Sequence, residues 1–332
     1  PYRETLTPSM ALFRGDGTVM KSKFHGGYPK IGRGERVGDM KKYICFAMVV
    51  LVTASVVHAA TEAEKRAAID TGLAYLKTTQ NASGSFGSGT TEYLISYTGA
   101  ALLAFEEEKA NWGANAAAYQ IVVDKGLDYL LSQASVVSIS GQPSGNPDGD
   151  GNGQAVKLYP GGKFGHDTYV TGIALPAIAS SGTPDKVVTA AVNPALAGWT
   201  YKKVVQNVVD YYAFGQSDPS TGVYEGGWRY YANQGSSDNS TTQWPVIGSL
   251  FASQMGVTAP AFVKNELTKG TQYTQNMTGT PATNIWHGAA GYVGPAPSGY
   301  GEMNETGSLL IQQAFLGWAT GNARVDAAID FI

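Results

Sequence analysis

The chain has 332 residues, of which 43% are hydrophobic and 42 are glycine, so it is long enough for one large or two ordinary domains with a buried core. Its net charge of -3 is unevenly spread: residues 1–60 contain 9 Lys and Arg against 4 Asp and Glu, and residues 61–332 contain 14 against 22. Because residues 61–332 are acidic overall and contain no basic stripe, nucleic acid is not an expected partner.

The N-terminal part has the pattern of a secretory signal peptide. A basic start at Met40 is followed by an apolar run over 44–57 and by the small-residue exit Val57-His58-Ala59. This predicts a signal peptide at residues 40–60, a secreted or periplasmic protein, and no transmembrane segment after cleavage. Residues 1–39 are basic, glycine-rich and aperiodic, and we interpret them as an upstream or disordered segment.

The position of the single cysteine is consistent with an exported protein. The only cysteine, Cys45, lies inside the predicted signal peptide. The mature chain is therefore expected to contain neither a disulfide nor a thiol nucleophile, and to depend on core packing or on metal for its stability.

From residue 61 onward, two kinds of helical segment alternate. The first kind is amphipathic and ends in a recurring pattern with an aromatic residue, which predicts a partly wet outer helix. Its five copies lie at Gly72–Leu76, Gly126–Leu130, Val208–Tyr212, Gly270–Thr274 and Ala328–Ile332.

The second kind is apolar nearly all round, which is typical of buried helices. Its glycine and alanine residues predict close approach between neighbouring helices. The four copies lie at Thr98–Leu102, Thr171–Leu175, Gly248–Leu250 and Thr306–Leu309. Pro176 and Pro245 lie in or near these segments, where each should kink a helix or mark its start.

A glycine-aromatic loop separates each outer helix from the next inner one. The loops lie at Gln80–Gly87, Gly161–Gly165, Gln216–Trp228, and Gly291–Gly294 with Gly299–Gly301. A glutamine followed by glycine and an aromatic residue resembles the QW-type repeat of the squalene–hopene cyclase and protein prenyltransferase superfamily, over about residues 62–332. In that family a glutamine, a glycine and a tryptophan tie the end of an outer helix to its neighbour. Phe86 and Phe164 replace the tryptophan in two copies, so the contact should be looser there.

The resemblance implies an all-α fold, an (α/α) toroid of two concentric helix layers around a cavity. Five outer and four inner helices can be counted where such a ring has six pairs. We therefore expect residues 61–332 to be a toroid that is incomplete at its C-terminus by about 60 to 90 residues.

In such a ring the N-terminal ends of the inner helices meet at the cavity mouth. Polar residues precede each of them: Glu92, His166 with Asp167, Asp238 with Asn239, and Glu302 with Glu305. A ring of carboxylates there could hold a proton donor with a raised pKa. The same residues are also ordinary helix caps, and Ser240 to Gln243 has capping-box spacing.

Asp238 is the candidate catalytic residue. Class II cyclases of the family protonate an alkene with the middle Asp of an Asp-x-Asp-Asp-Thr motif, and Asp238-Asn-Ser-Thr-Thr242 occupies the matching place. Only one carboxylate remains here, and an alkene demands a strongly tuned acid. The prenyltransferase branch uses a zinc held by Asp, Cys and His, which a mature chain without cysteine does not match.

The aromatic residues around the mouth have two interpretations. They could line a cavity for an apolar, isoprenoid ligand or for a carbohydrate, or they could pack the loops, as expected of Trp228 next to two glycines. The predicted cavity set is Tyr224, Trp228, Tyr230, Asn239, Trp244, His166, Asp167, Glu302 and Glu305.

A further motif lies in the insertion of the second repeat. Asp148, Asp150 and Asn152, followed by Gly153, match the first half of a calcium loop, with oxygen ligands at alternate positions and a glycine for the turn. Position 12 would be Tyr159 instead of a bidentate Glu. The sequence therefore leaves open a calcium site or a plain polar turn, and predicts no other cofactor.

Three functions remain open. The first is an exported toroid without cyclase chemistry that binds a ligand or partner at its mouth; the missing carboxylates and cysteine favour it. The second is a cyclase with Asp238 as its acid. The third is a polysaccharide-active α/α-barrel enzyme, for which Asp167, Asp238, Glu302 and Glu305 could supply the two carboxylates of a hydrolase.

Overall fold

The computed structural model describes residues 60–161, 165–299 and 301–332, of which Thr61–Ile332 form one compact unit. The predictions for residues 1–39 and for the signal peptide over 40–59 lie outside the described residues, as do those for Phe164 and Tyr300. Over the described ranges, no helix is both long and apolar enough to cross a bilayer.

The described part of the chain is mostly helical, which confirms the all-α class in its coarse form. A small antiparallel pair of strands, β1 (Ser135–Ser138) and β2 (Gln154–Lys157), pairs Ser135 with Lys157. In chain order the helices are α1 (Glu62–Thr79), α2 (Thr91–Glu107), α3 (Ala116–Ser132), α4 (Asp167–Ser180), α5 (Tyr201–Gly215), α6 (Asn239–Ala252), α7 (Ala261–Thr274), α8 (Glu302–Phe315) and α9 (Ala323–Phe331).

By their contacts the helices fall into two alternating sets, which we call inner and outer helices. The inner helices α2, α4, α6 and α8 pack side by side in chain order, and the outer helices α1, α3, α5, α7 and α9 pack against them. One large core cluster runs from Leu73 in α1 to Phe315 in α8. Each inner helix thus packs against its inner neighbours and against outer helices.

Glycines let the inner helices approach one another. A Cβ atom on Gly99 would lie 2.7 Å from the Cα of Ala174, and one on Gly172 would lie 2.5 Å from the Cβ of Trp244. Since real Cβ atoms do not come this close, only glycine fits at these two contacts. The predicted role of small inner residues is confirmed there. Pro176 and Pro245 lie inside α4 and α6, so neither marks a helix start.

The same hydrogen bond ties a loop to an inner helix in four repeats. In each, a backbone N–H of the loop donates to the hydroxyl of a buried threonine in the inner helix, over 2.9–3.0 Å. The hydroxyl of a threonine inside the helix thereby accepts a hydrogen bond from a group outside the helix. The pairs are Phe86 with Thr98, Leu158 with Thr171, Trp228 with Thr242 and Ala290 with Thr306.

Glutamines tie three of the loops to the following outer helix. Gln80, Gln216 and Gln275 each follow an outer helix, and the Nε2 of each donates to one carbonyl of its own loop and one of the next outer helix. For Gln216 these acceptors are Gly226, at 2.7 Å, and Val263, at 3.0 Å. We call this arrangement the glutamine tie. It accounts for the recurring glutamine in physical terms, because each bond satisfies a main-chain oxygen.

The second repeat is built differently. In the other three repeats, the residue after the tying glutamine bonds the residue before the one that meets the inner threonine. In the second repeat Ser135 pairs with Lys157 in the same way, so Ala134 is at the position of the glutamine. Asn193, from the connection between α4 and α5, donates instead to the carbonyls of Leu131 and Ala134, at 2.8 and 3.0 Å. The loop that meets the inner threonine is therefore 154–158, upstream of the glycine-rich 161–165 segment that the sequence singles out.

Candidate functional site

Acidic residues recur at one position of three inner helices. Asp167, Asp238 and Glu302 each precede the loop-binding threonine of their helix by four residues, while α2 has Leu94 there. This spacing places the three carboxylates at equivalent points, on the N-terminal ends of neighbouring inner helices. Sequence analysis singled out the residues but not the shared spacing, which was visible in the printed sequence.

Asp238 is a helix cap with a fully engaged carboxylate. It accepts hydrogen bonds from the backbone N–H of Thr241 (2.6 Å) and from the Thr241 hydroxyl (3.2 Å), and it pairs with Arg229. Its capping role is confirmed, whereas Ser240 caps nothing and its carbonyl accepts from the Gln243 side chain. Burial raises the pKa of Asp238, against the bonds from Thr241 and the charge of Arg229, which lower it.

The space around Asp238 is small. The residue is 2% exposed, and the void that it lines has a volume of about 10 Å³. Such a void holds about one water molecule and no organic substrate. Asp238 is therefore placed as a structural residue in this conformation of the chain.

Arg229 links this cap to two tyrosines. Its guanidinium lies 4.7 Å from the ring centre of Tyr230 and 5.6 Å from that of Tyr292, and it donates to the Tyr292 hydroxyl over 3.3 Å. Cations over aromatic faces gain electrostatic stabilisation. The cluster is therefore a charge-neutralised surface around Asp238.

Tyr230 also joins two repeats. Its ring meets that of His166 edge to face at 4.5 Å, and its carbonyl accepts from the backbone N–H of Thr168 (2.9 Å). His166 pairs with Glu92 at 2.6 Å. The mouth residues of α2, α4 and the following loop are thus brought together, as predicted.

Asp167 lies in a different environment from Asp238. It accepts from Lys157 at 3.1 Å and from the Tyr211 hydroxyl at 2.8 Å, and its Oδ1 has no hydrogen-bond partner within the described ranges. Together these three side chains line an open cavity of about 180 Å³. Burial, together with the Asp167 charge, raises the pKa of Tyr211 well above its ordinary value.

Glu305 is the least engaged of the mouth carboxylates. It is 5% exposed, and its Oε2 finds no partner among the residues described. Burial, followed by the charges of Asp238 and Glu302, raises its pKa to about 7. Glu302 instead holds a turn, since one of its oxygens accepts from the backbone N–H groups of Ser298 and Gly299, each at 2.7 Å.

Three predicted cavity residues do structural work. Trp228 is 2% exposed and its indole N–H donates to the carbonyl of Tyr212 at 2.8 Å, so it packs the loop. Asn239 donates to the Gly291 carbonyl and accepts from Gln312. Tyr224 ends a 3₁₀ turn, Pro219–Tyr224, and its carbonyl accepts from Ser237 at 2.9 Å. None of the three presents its bonded polar group to a ligand.

Trp244 is one of several large apolar side chains that the inner helices leave partly or largely exposed. It is half-buried and packs against Tyr169, with ring centres 5.2 Å apart. Further large side chains on these helices are exposed, each by 36–57%. We call the set the apolar stripe: Tyr93 and Tyr97 of α2, Tyr169 of α4, Trp244 and Leu250 of α6, and Met303 of α8.

The candidate calcium residues lie in the loop between β1 and β2. Asp148 shapes that loop, since its carboxylate accepts the backbone N–H groups of Gly151, Asn152 and Gly153 over 2.7–3.1 Å. The oxygen of Asn152 is used by the N–H of Gln154. A carboxylate that the sequence analysis missed, Asp210 of α5, lies within 4.8 Å of those of Asp148 and Asp150.

Comparison of the chain with models of protein families, with curated proteins and with solved structures found no match.

Proposed function

We propose that this chain is a non-catalytic helical-repeat protein that binds an apolar ligand along the apolar stripe. The single observation that supports this most is the exposure of large apolar side chains on the inner helices, including Tyr93 at 53% and Met303 at 57%. Exposed apolar patches on the surface of a folded chain mark binding sites. Glu92 and His166 lie at the N-terminal ends of α2 and α4, the helices that carry Tyr93 and Tyr169, and there they would orient a polar end of the ligand.

The finer parts of the proposal rest on the sequence. We propose that the two layers curve as in the (α/α) toroids of the squalene–hopene cyclase and prenyltransferase superfamily. The repeated glutamine tie and the repeated threonine bond support this, because they give successive repeats the same relation to their neighbours. Export, by way of the signal-like segment Met40–Ala59, is part of the same proposal.

The hydrogen bonds and the burial of Asp238 support the proposed lack of cyclase chemistry. An acid that protonates an alkene must be free to hold and deliver a proton toward a substrate. Here both oxygens accept hydrogen bonds, one of them pairs with Arg229, and the adjoining void has about 10 Å³. Those contacts favour the capping role over the catalytic one.

The experiment is a calorimetric titration of the full chain with a fifteen-carbon isoprenoid alcohol and, separately, with a linear oligosaccharide. We expect the alcohol to bind and Leu250→Ser to weaken its binding about three- to fivefold. Leu250 is 36% exposed, so binding can bury about a third of the side chain, which contributes about 0.5–1 kcal/mol of the ~1.5–3 kcal/mol for a fully buried leucine. Ile285→Ser is the matched control, because Ile285 is 77% exposed and lies outside the stripe.

Failure of the alcohol to bind would refute the proposal, as would equal affinity of wild type and Leu250→Ser. Binding of the oligosaccharide alone would point to carbohydrate recognition and would replace the apolar ligand.

A polysaccharide-active enzyme is the second candidate, and Glu305 favours it. A buried carboxyl with an unpartnered oxygen and a pKa of about 7 is suited to general acid catalysis. Release of reducing sugar from soluble polysaccharides, lost in Glu305→Gln, would support this alternative. Absence of turnover over pH 5–8 would dismiss it.

A further inference from the structure

The loop between β1 and β2 is fastened to the outer helix α5 by polar side chains. The backbone N–H of Gly149 donates to Asp210 Oδ1 over 3.0 Å. Asn207 donates to Asp150 Oδ2 over 3.0 Å and accepts from Asn152 Nδ2 over 2.9 Å. Asn207 and Asp210 are one turn apart on α5 and are both fully buried. The loop therefore covers a polar spot on an otherwise apolar helix face.

Three carboxylates meet under this loop. One oxygen from each of Asp148, Asp150 and Asp210 lies within 4.8 Å of the other two. Three negative charges this close repel one another strongly unless a cation lies among them. Across the described ranges, neither lysine nor arginine forms an ion pair with any of the three.

The second oxygen of Asp210 points to the same conclusion independently. Asp210 is 0% exposed, its Oδ1 accepts from Gly149 and Gln206, and its Oδ2 has no partner in the part of the chain that the structure describes. A fully buried carboxylate oxygen without a partner is costly. A bound cation would supply the missing interaction.

We propose that Asp148, Asp150 and Asp210 bind a calcium ion. Calcium–oxygen distances of 2.3–2.6 Å place oxygens around one ion up to about 5 Å apart, and the observed 4.8 Å fits this limit. The donors are all oxygens, without His or Cys, which favours a hard cation over zinc. Asp150 is exposed, so water reaches the remaining coordination positions that calcium requires.

Asp210 takes the place of the bidentate Glu that the loop sequence lacks. The calcium-loop pattern at Asp148, Asp150 and Asn152 ends in Tyr159 at position 12, and α5 provides a carboxylate from 51 residues further along the chain. Asn152 braces the cluster, because its oxygen accepts from Gln154 and its amide bridges Asp150 and Asn207.

The position of the site suggests what the ion does. In three repeats the glutamine tie joins a loop to the next outer helix, and the second repeat has Ala134 at the position of that glutamine. The carboxylate cluster joins the loop of that same repeat to its own next outer helix, α5. Calcium would therefore fasten the one loop of the four that has no glutamine tie.

The test is a calorimetric calcium titration and a thermal melt of the chelator-treated full chain. We expect one site with a Kd of ~10⁻⁵–10⁻³ M and a rise in Tm of about 5–8 °C at a hundredfold excess of free calcium over Kd. Asp210→Asn and Asp150→Asn should each weaken binding at least ~10-fold. Asp185→Asn, which removes an exposed carboxylate elsewhere, should bind as wild type does.

Asp150→Asn keeps the proposal testable if Asp210→Asn does not fold, because Asp150 is exposed and its change leaves the core intact. The proposal is overturned if wild type shows neither heat nor a Tm shift at 10 mM calcium, a concentration above the weakest expected Kd. It is also overturned if Asp150→Asn binds as tightly as wild type, or if magnesium binds more tightly than calcium.

Discussion

Gly226→Ala tests whether the loops are held by direct contact with the next outer helix. Gly226 has φ +84°, and a Cβ atom there would overlap the carbonyl of Glu266 and lie 2.9 Å from the nitrogen of Leu267. The left-handed backbone costs a non-glycine residue ~1–2 kcal/mol. Forcing a methyl group against a backbone that cannot move adds ~1–3 kcal/mol. We expect a loss of about 2–5 kcal/mol and a Tm lower by about 4–10 °C.

The assay is thermal and urea unfolding of wild type beside two variants. Gly235→Ala is the control, because Gly235 also has a positive φ (+74°) but has no heavy atom within 4 Å of the added carbon. It should show the backbone cost alone, about 1–2 kcal/mol. Equal losses in Gly226→Ala and Gly235→Ala would refute the contact, and so would a loss below 1 kcal/mol in Gly226→Ala.

Three further predictions concern buried polar groups. Gln216→Ala should cost about 2–4 kcal/mol of unfolding free energy because it leaves two carbonyls unpaired, while Gln133→Ala, which removes only an exposed bond, should cost almost nothing in the same urea titration. Trp228→Phe loses a buried 2.8 Å bond to α5 and should cost about 1–3 kcal/mol; Trp286→Phe is its control, and equal losses would contradict the argument. Burial raises the pKa of Glu106 to about 9, so the folded chain keeps a proton that the unfolded chain loses near pH 4.5. The free energy of unfolding should therefore fall as pH rises from 5 to 9, by at most about 6 kcal/mol. Glu106→Gln should flatten this fall, and an unchanged slope of unfolding free energy against pH would disprove the assignment.

The layer assignment could be predicted from the sequence because it depends on local composition. Segments such as Thr171–Leu175 are apolar all round, and a helix of that kind is stable only when it is covered on most sides. Outer segments such as Glu62–Arg66 are charged and lie exposed in α1. Both are properties of short stretches, so they need no knowledge of distant residues.

The second repeat shows where local reasoning stops. The sequence pattern favours the glycine-rich segment 161–165 as its loop, whereas the structure uses 154–158. The difference arises because strand pairing of Ser135 with Lys157 brings Leu158 to Thr171 without any glycine. Pairing between residues that are 22 apart depends on both partners, which a search for one motif does not consider.

Asp210 was missed for a related reason. A calcium-loop motif is read along consecutive residues, and its last ligand here comes from another helix. A signal was nevertheless present, since Gln206, Asn207 and Asp210 interrupt a run of valines and tyrosines in α5. Polar residues one turn apart on the buried face of a helix need partners, and those partners must come from another element.

The ties of the four repeats suggest how the array depends on its connections. The inner helices approach closely at Gly99 and Gly172, and the loops and the outer helices add polar ties between repeats. Glutamine does this three times with hydrogen bonds between uncharged groups, which need no bound cation. The second tie is made by carboxylates, whose mutual repulsion depends on whether a cation is present. Calcium removal should therefore loosen the junction between the second loop and α5 while the other three ties hold.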